Sequence, residues 1–229
     1  MRLIAPLSLC VLLAASASVA APPAAAPVVV ELYQSQGCSS CPPADGVLNA
    51  LAARSDVIAL NFAVTYWDQL GWKDTFAKPA YTARQWDYAR AAGRGNVSTP
   101  QMIVGGRTAI VGSRPAEVDA VIARARAGQS GPPILVNGTT IGLPAGKTSV
   151  PATLWLVSYD PRTIPVAIRA GENGGRTIPH RNIVRDLVLL GTWNGAAKRF
   201  SLPPAMPGMG TALLLQAGRG GPIIAARRS

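Results

Sequence analysis

Histidine is all but missing from this 229-residue chain, and His180 is its single imidazole. With no serine pattern beside it, a lone histidine gives nothing from which to build a Ser-His-Asp hydrolase. Cysteine is equally scarce: Cys10, Cys38 and Cys41 are the full set. Two of these and one distant histidine fall short of the four ligands a closed zinc site needs, so no resident metal is expected. Glycine clusters at Gly171 to Gly175, but no lysine and no strand-to-helix context accompany it, which excludes a phosphate cradle. Beyond residue 20 no run reaches the roughly 18 to 20 apolar residues of a membrane span. No cofactor is expected.

Acidic residues are also few, 11 against 22 lysines and arginines. Residues 1–20 carry one charge at Arg2, an apolar run from Leu7 to Ala15 and small residues at Ser18-Val19-Ala20, the pattern of a cleavable secretory signal. Cys10 leaves with it. Removal of the signal leaves 21 basic and 11 acidic residues, a formal charge of +10. The expected location is periplasmic or secreted. There a basic surface meets anionic envelope surfaces, with at most weak association, rather than nucleic acid. The arginines are scattered, as on a solvated face.

Residues 21–27 form an Ala/Pro linker. Val28 to Tyr33 is a β-branched run short enough for a buried strand. After Pro42-Pro43, apolar residues at Ala44, Val47, Leu48, Leu51 and Ala52 fall at helical spacing, with a stop near Arg54-Ser55. Val57 to Val64 is a second buried strand, which makes a strand-helix-strand unit. Residues 66–95 read as an aromatic and helical insertion, with a helix from Pro79 to Ala92. It holds Trp67, Trp72 and Trp86, three of the five tryptophans. Gln101 to Val104, the Gly105-Gly106 turn, Arg107 to Val111 and a helix opening at Pro115 complete a thioredoxin topology over residues 28–128. Residues 134–229 turn to β character, with strands at 134–136, 152–159, 165–169, 183–190 and 212–216 and a last one near Ile223. The spacing predicts a small all-β, sandwich-like domain.

Cys38-Ser39-Ser40-Cys41 opens the first helix. A sulfur at the helix start would face unpaired first-turn amides and the positive end of the dipole, which favour a thiolate. Cys38 is therefore the expected attacking thiol and Cys41 the resolving one, exchanging with protein or small-thiol disulfides. Thr99-Pro100 resembles the cis-proline loop that faces the cysteine pair in thioredoxin-fold proteins, where the residue before proline pairs with extended substrate. Trp67 and Trp72 either pack their segment onto the domain or line the substrate surface. Met102, just past the proline, leaves a copper-handling variant open, and His180 reads as a structural loop residue. A static bridge is the remaining possibility, although a CxxC loop is so short that it restrains the unfolded chain little.

Three groups of residues together resemble one family: Glu31 through Gly37-Cys38-Ser39-Ser40-Cys41-Pro42-Pro43-Ala44-Asp45, Tyr66-Trp67-Asp68 with Gly71-Trp72-Lys73-Asp74, and Thr99-Pro100-Gln101. It is a secreted, bacterial, thioredoxin-like family catalogued as a domain of unknown function. Gly171-Glu172-Asn173 and Gly175-Arg176-Thr177 through Arg185 resemble its second half. The resemblance implies a thioredoxin-like domain with a β appendage and supplies no reaction. Where that family has His-Val-Asp before Tyr-Trp, this chain has Ala63-Val64-Thr65, so any proton-transfer aid from those residues is lost. The expectation is an exported thiol–disulfide oxidoreductase, reductase- or isomerase-like, with Cys38, Cys41, Thr99, Pro100, Trp67 and Trp72 at its site. The alternatives are a non-catalytic envelope binding protein with a static disulfide, or a copper-handling relative.

Overall fold

The computed structural model describes residues 26–228. The expected signal peptide and Cys10 lie outside the described residues. In chain order the first half runs β1 (Val28–Gln34), α1 (Pro42–Leu51), β2 (Val57–Ala63), α2 (Pro79–Ala91), β3 (Gln101–Val104), β4 (Thr108–Ile110) and α3 (Pro115–Arg126). The second half is all strand: β5 (Leu135–Asn137), β6 (Thr140–Leu143), β7 (Ala152–Asp160), β8 (Ile164–Ala167), β9 (Thr177–His180), β10 (Ile183–Trp193), β11 (Lys198–Ser201), β12 (Gly210–Ala217) and β13 (Ile223–Arg228). Each helix opens on a proline, whose preset φ and missing N–H suit the first turn.

β1 and β2 are parallel neighbours buried along their whole length. Alternation sends Val28, Val30, Leu32, Val57 and Ala59 to one face, under Leu48 and Leu51 of α1 and Val118 and Ile122 of α3. Val29, Tyr33, Ile58, Leu60 and Phe62 go to the other, under Tyr81 and Tyr88 of α2. There the Tyr33 and Phe62 rings stack at 5.3 Å and Phe62 meets Tyr81 edge-on.

The second half does not build a separate sandwich. Its long strands continue the first sheet into one eight-stranded mixed sheet of order β13-β12-β7-β10-β2-β1-β3-β4. The junction is short: Ile183 of β10 pairs in parallel with Asn61, and the Asn61 amide donates to the Asn182 carbonyl at 2.9 Å. Asn182 sits at φ 50°, a conformation asparagine tolerates, and its Nδ2 donates to the Ala59 carbonyl at 2.8 Å. The reason for the merger is apolar area. Val157, Tyr159, Val184, Ala212, Leu214 and Ile223 close over the same layer as Phe62, so both halves share one core. The opposite face of the added strands buries Leu154, Leu156, Trp193, Leu213 and Leu215 beneath Ile141, Leu143 and Phe200. Those covering residues come from a three-stranded sheet of order β11-β6-β5.

β8 and β9 form a two-stranded hairpin that lies against α1, where Asn49 Nδ2 donates to the Pro179 carbonyl at 2.9 Å. At the far end of the large sheet, the Ile223 amide donates to the Gly105 carbonyl in the β3–β4 turn at 3.0 Å, and the Gly131 amide donates to the Ile224 carbonyl at 2.9 Å. The approach requires glycine at 106, where a Cβ would stand 2.7 Å from the Gly221 oxygen. Among the described residues no helix is long and apolar enough to cross a membrane.

Candidate functional site

β1 ends at Gln34, and the chain turns through Ser35 to Cys41 before α1 begins. The Cys38 amide donates to the Ser35 carbonyl and the Cys41 amide to the Cys38 carbonyl, so the loop is a pair of tight turns. Cys38 and Cys41 are joined by a disulfide. Cys41 caps α1, three residues after Cys38. The first-turn amides expected to face Cys38 are spoken for: Pro42 and Pro43 have none, and those of Ala44 and Asp45 close on the Cys41 carbonyl. The polar neighbour of Cys38 Sγ is the Ser40 hydroxyl at 3.4 Å. The helix dipole remains as the long-range source of thiolate stabilisation.

Thr99-Pro100 lies at the same end of the sheet, because antiparallel pairing of Tyr33 with Gln101 sets the entry to β3 beside the exit of β1. The Thr99-Pro100 peptide bond is cis. Gln85 of α2 braces this loop, its Nε2 donating to the Ser98 carbonyl and to Gln101 Oε1, both at 2.9 Å. Trp67 and Trp72 are half-buried and both used. Trp67 Nε1 donates to Thr99 Oγ1 at 2.7 Å, and Trp72 Nε1 donates to Gln36 Oε1 at 2.9 Å. The two indoles thus link the proline loop and the cysteine loop to the segment between β2 and α2.

Composition gave no warning of the next contact. The loop between β8 and β9, more than 130 residues away in sequence, folds over the cysteine turn. Asn173, wholly buried, donates from Nδ2 to the carbonyls of Gln36 at 2.9 Å and Cys38 at 2.8 Å. Arg176 holds its Oδ1 at 2.7 Å. Beside it, Glu172 Oε2 accepts the Ser39 amide at 3.1 Å and the Ser39 hydroxyl at 2.7 Å, and these bonds hold its carboxyl below the usual range. Gly171, at φ +71°, lets the loop press onto the tryptophan segment, since a Cβ there would sit 3.2 Å from Trp72 Cβ. With this covering, Cys38 is 0% and Cys41 1% exposed.

Polar groups also line the floor. His180 Nδ1 meets Asp45 Oδ1 at 3.2 Å, Asn61 Nδ2 donates to the same oxygen at 3.0 Å, and Gln34 Nε2 donates to Asn61 Oδ1 at 2.9 Å. His180 is therefore no loop residue. It ends β9, fully buried, and its Nε2 has no hydrogen-bond partner among the described residues. Asp74 accepts the Gln36 amide on Oδ2 and the Phe76 amide on Oδ1, each at 2.8 Å. Burial pushes its carboxyl up, against the pull of those two amides and of the neighbouring His180 ring, with Asp68 adding to the rise. The acid in Pro43-Ala44-Asp45 and the lone histidine were both visible in the sequence; their pairing was not.

Met102, the candidate copper ligand, is buried in the apolar layer with Leu32, Leu48 and Ile122, and its side chain lies against Gly112. Ala63-Val64-Thr65 is apolar and buried up to Thr65, whose amide and hydroxyl both meet the Thr82 hydroxyl at 3.0 Å. Among the described residues no group of three or more His, Cys, Asp or Glu side chains is placed to hold a metal ion. The site thus combines a short-loop disulfide before a helix, a hydroxyl at its first sulfur, and a cis-proline loop at the same end of the sheet.

No curated protein matches the sequence. A protein of Agrobacterium tumefaciens solved by X-ray crystallography is 33% identical over 88% of this chain and 92% of that one, with a TM-score of 0.74. HBP35 of Porphyromonas gingivalis shares 13% identity over 89% of this chain and 74% of its own, with a TM-score of 0.62, a likeness of fold alone. The family described as "Protein of unknown function (DUF1223)" matches residues 29–216, which takes in the cysteine turn, the tryptophan segment and the covering loop, and the chain belongs to that family.

Proposed function

We propose that this protein is an exported thiol–disulfide oxidoreductase built on a thioredoxin-like unit, with Cys38 as the attacking sulfur and Cys41 as the resolving one. The observation that carries the reading is the placement of the Cys38–Cys41 bridge directly before α1, at the same sheet end as the Thr99-Pro100 loop. The Trp67 indole, donating to Thr99, frames the space where an extended substrate would lie. In exchange from the reduced pair, the Cys38 thiolate attacks a partner disulfide, one partner thiolate leaves as the mixed disulfide forms, and Cys41 then attacks Cys38, closing the bridge and releasing the second partner thiolate. The second half then serves to complete the core behind the site and to supply the loop that covers it.

A Cys41→Ala variant is expected to accumulate mixed disulfides through Cys38, seen as adducts that disappear on reduction. Absence of adducts from a folded variant in envelope extracts would sink the proposal.

Near-complete burial of both sulfurs favours a second reading, a binding protein whose bridge is static. A redox titration separates the two. Structural bridges lie below roughly −300 mV, and exchanging ones lie higher.

A further inference from the structure

Two donors converge on one carboxylate oxygen immediately beside the first cysteine: the main-chain amide and the hydroxyl of Ser39, both held by Glu172. Ser39 and Glu172 are exposed, whereas the neighbouring Asn173 is buried and anchors the covering loop through the Gln36 and Cys38 carbonyls. The buried Asn173 bonds hold the loop in place without Glu172, and the solvent-exposed contact of Glu172 with the Ser39 donors is open to exchange with another carboxylate. A carboxylate seated there stands one residue from Cys38.

We propose that the Ser39 amide and hydroxyl form a carboxylate seat for the exchange partner, that Glu172 fills this seat while Cys38 and Cys41 are bridged, and that the preferred partners carry a carboxylate a few bonds from the reacting sulfur. The inference rests on the exchange reading above. It adds the substrate class, and the chain's excess of basic residues acts in the same direction by drawing anionic partners.

When the covering loop opens locally over Cys38, the partner thiolate attacks Cys38 Sγ, forming a mixed disulfide and breaking the Cys38–Cys41 bond. Cys41 leaves as a thiolate and takes a proton from water. A second partner thiolate then attacks the partner sulfur of the mixed disulfide and releases Cys38, which is protonated in turn. Two partner thiols become one disulfide as Cys38–Cys41 becomes two thiols, and the reverse sequence reduces a partner disulfide. In each mixed disulfide the partner's carboxylate takes the place of Glu172 on Ser39.

The test measures the opening rate of the bridge by alkylation and mass, using 3-mercaptopropionate against 2-mercaptoethanol and a Cys-Glu peptide against its Cys-Gln counterpart. Each rate is divided by that of the same thiol on 2-hydroxyethyl disulfide, in about 1 M salt to screen the overall charge. In Glu172→Ala the carboxylate thiols are expected to be about tenfold faster than their neutral partners, the scale of a charge-assisted hydrogen bond. Adding Ser39→Ala should cut that preference by about threefold, since the amide remains. A preference in the small thiols alone or the peptides alone supports the seat and names its source. Equal normalised rates for all four thiols in Glu172→Ala, or a preference untouched by Ser39→Ala, overturns the inference and leaves exchange standing. A bridge that no thiol opens in any variant overturns the exchange reading, and this inference falls with it.

Discussion

Asp74 is an acid kept where ionisation costs free energy, and the cysteine turn hangs from it through the Gln36 amide. Because burial raises its folded pKa, the folded chain binds this proton more tightly than the unfolded one, whose value is near 3.8. Stability contributed through Asp74 is therefore greatest at low pH and declines as pH rises from about 3.8 through the raised value. Asp56 and Asp160 act the opposite way. Arginine bonds hold both at about 2, so their contributions fade as pH falls through that range. In Asp74→Asn the decline above pH 3.8 should vanish from urea midpoints measured across the acid range, while the loss at lower pH persists. A parallel decline in both proteins would remove Asp74 as its cause.

At the same scale, Glu31 and Arg84 form a buried ion pair at 2.8 Å, with Arg84 also donating to Gln216 and Tyr88. Truncating one partner strands the other's charge, so Arg84→Met is expected to cost about 3 to 5 kcal/mol. The double variant with Glu31→Leu should recover most of it, because the uncompensated charge is gone. Denaturant unfolding of the single and double variants checks both figures.

At the scale of elements, runs of apolar residues made most strands and helices legible. Val28 to Tyr33 and Val57 to Val64 agree with β1 and β2 to within a residue, and the prolines at 42, 79 and 115 mark the starts of α1, α2 and α3. β6, β9 and β11 leave no such mark, since four-residue strands such as Thr177–His180 with only alternate residues buried give too little periodic signal. The candidate site divides the same way. Cys38, Cys41 and Pro100 announce themselves by spacing and by position before an element. Glu172 and Asn173 look like an ordinary Gly-rich turn, because much of what they bond is main chain, and a backbone amide or carbonyl leaves no residue signature at the other end. The Asn173→Ala variant tests the turn as an element: it removes two bonds to buried carbonyls. A loss of about 1 to 3 kcal/mol is expected. Reduction of the bridge by dithiothreitol should accelerate by about tenfold, since the anchor of the cover is gone. Unchanged reduction kinetics would mean that the loop does not limit access.

At the scale of the whole molecule, one face of the first sheet is shared between the two halves. The sequence shows that Ile58, Leu60 and Phe62 are apolar, but it does not show what covers them, and strands from the second half do much of that work. Sheet membership is set by such long-range contacts. The two halves are accordingly expected to unfold in a single transition. A chain ending at residue 128 should lack a stable fold, because it leaves the Tyr33, Ile58 and Phe62 layer partly uncovered. Circular dichroism and hydrogen exchange of that fragment decide the matter, and a cooperative melt would show that the first half stands alone.

The return of β13 to the β3–β4 turn bears on how the protein behaves among its own copies. An outermost strand normally presents a row of free amides and carbonyls to any passing chain, an invitation to fibrillar stacking. Here the Ile223 amide is taken by Gly105 and the Ile224 carbonyl by Gly131, so the start of that strand is already partnered within the molecule. A chain with this much β structure thus guards part of its sheet margin with its own turn, which favours staying dispersed at high concentration over coalescing.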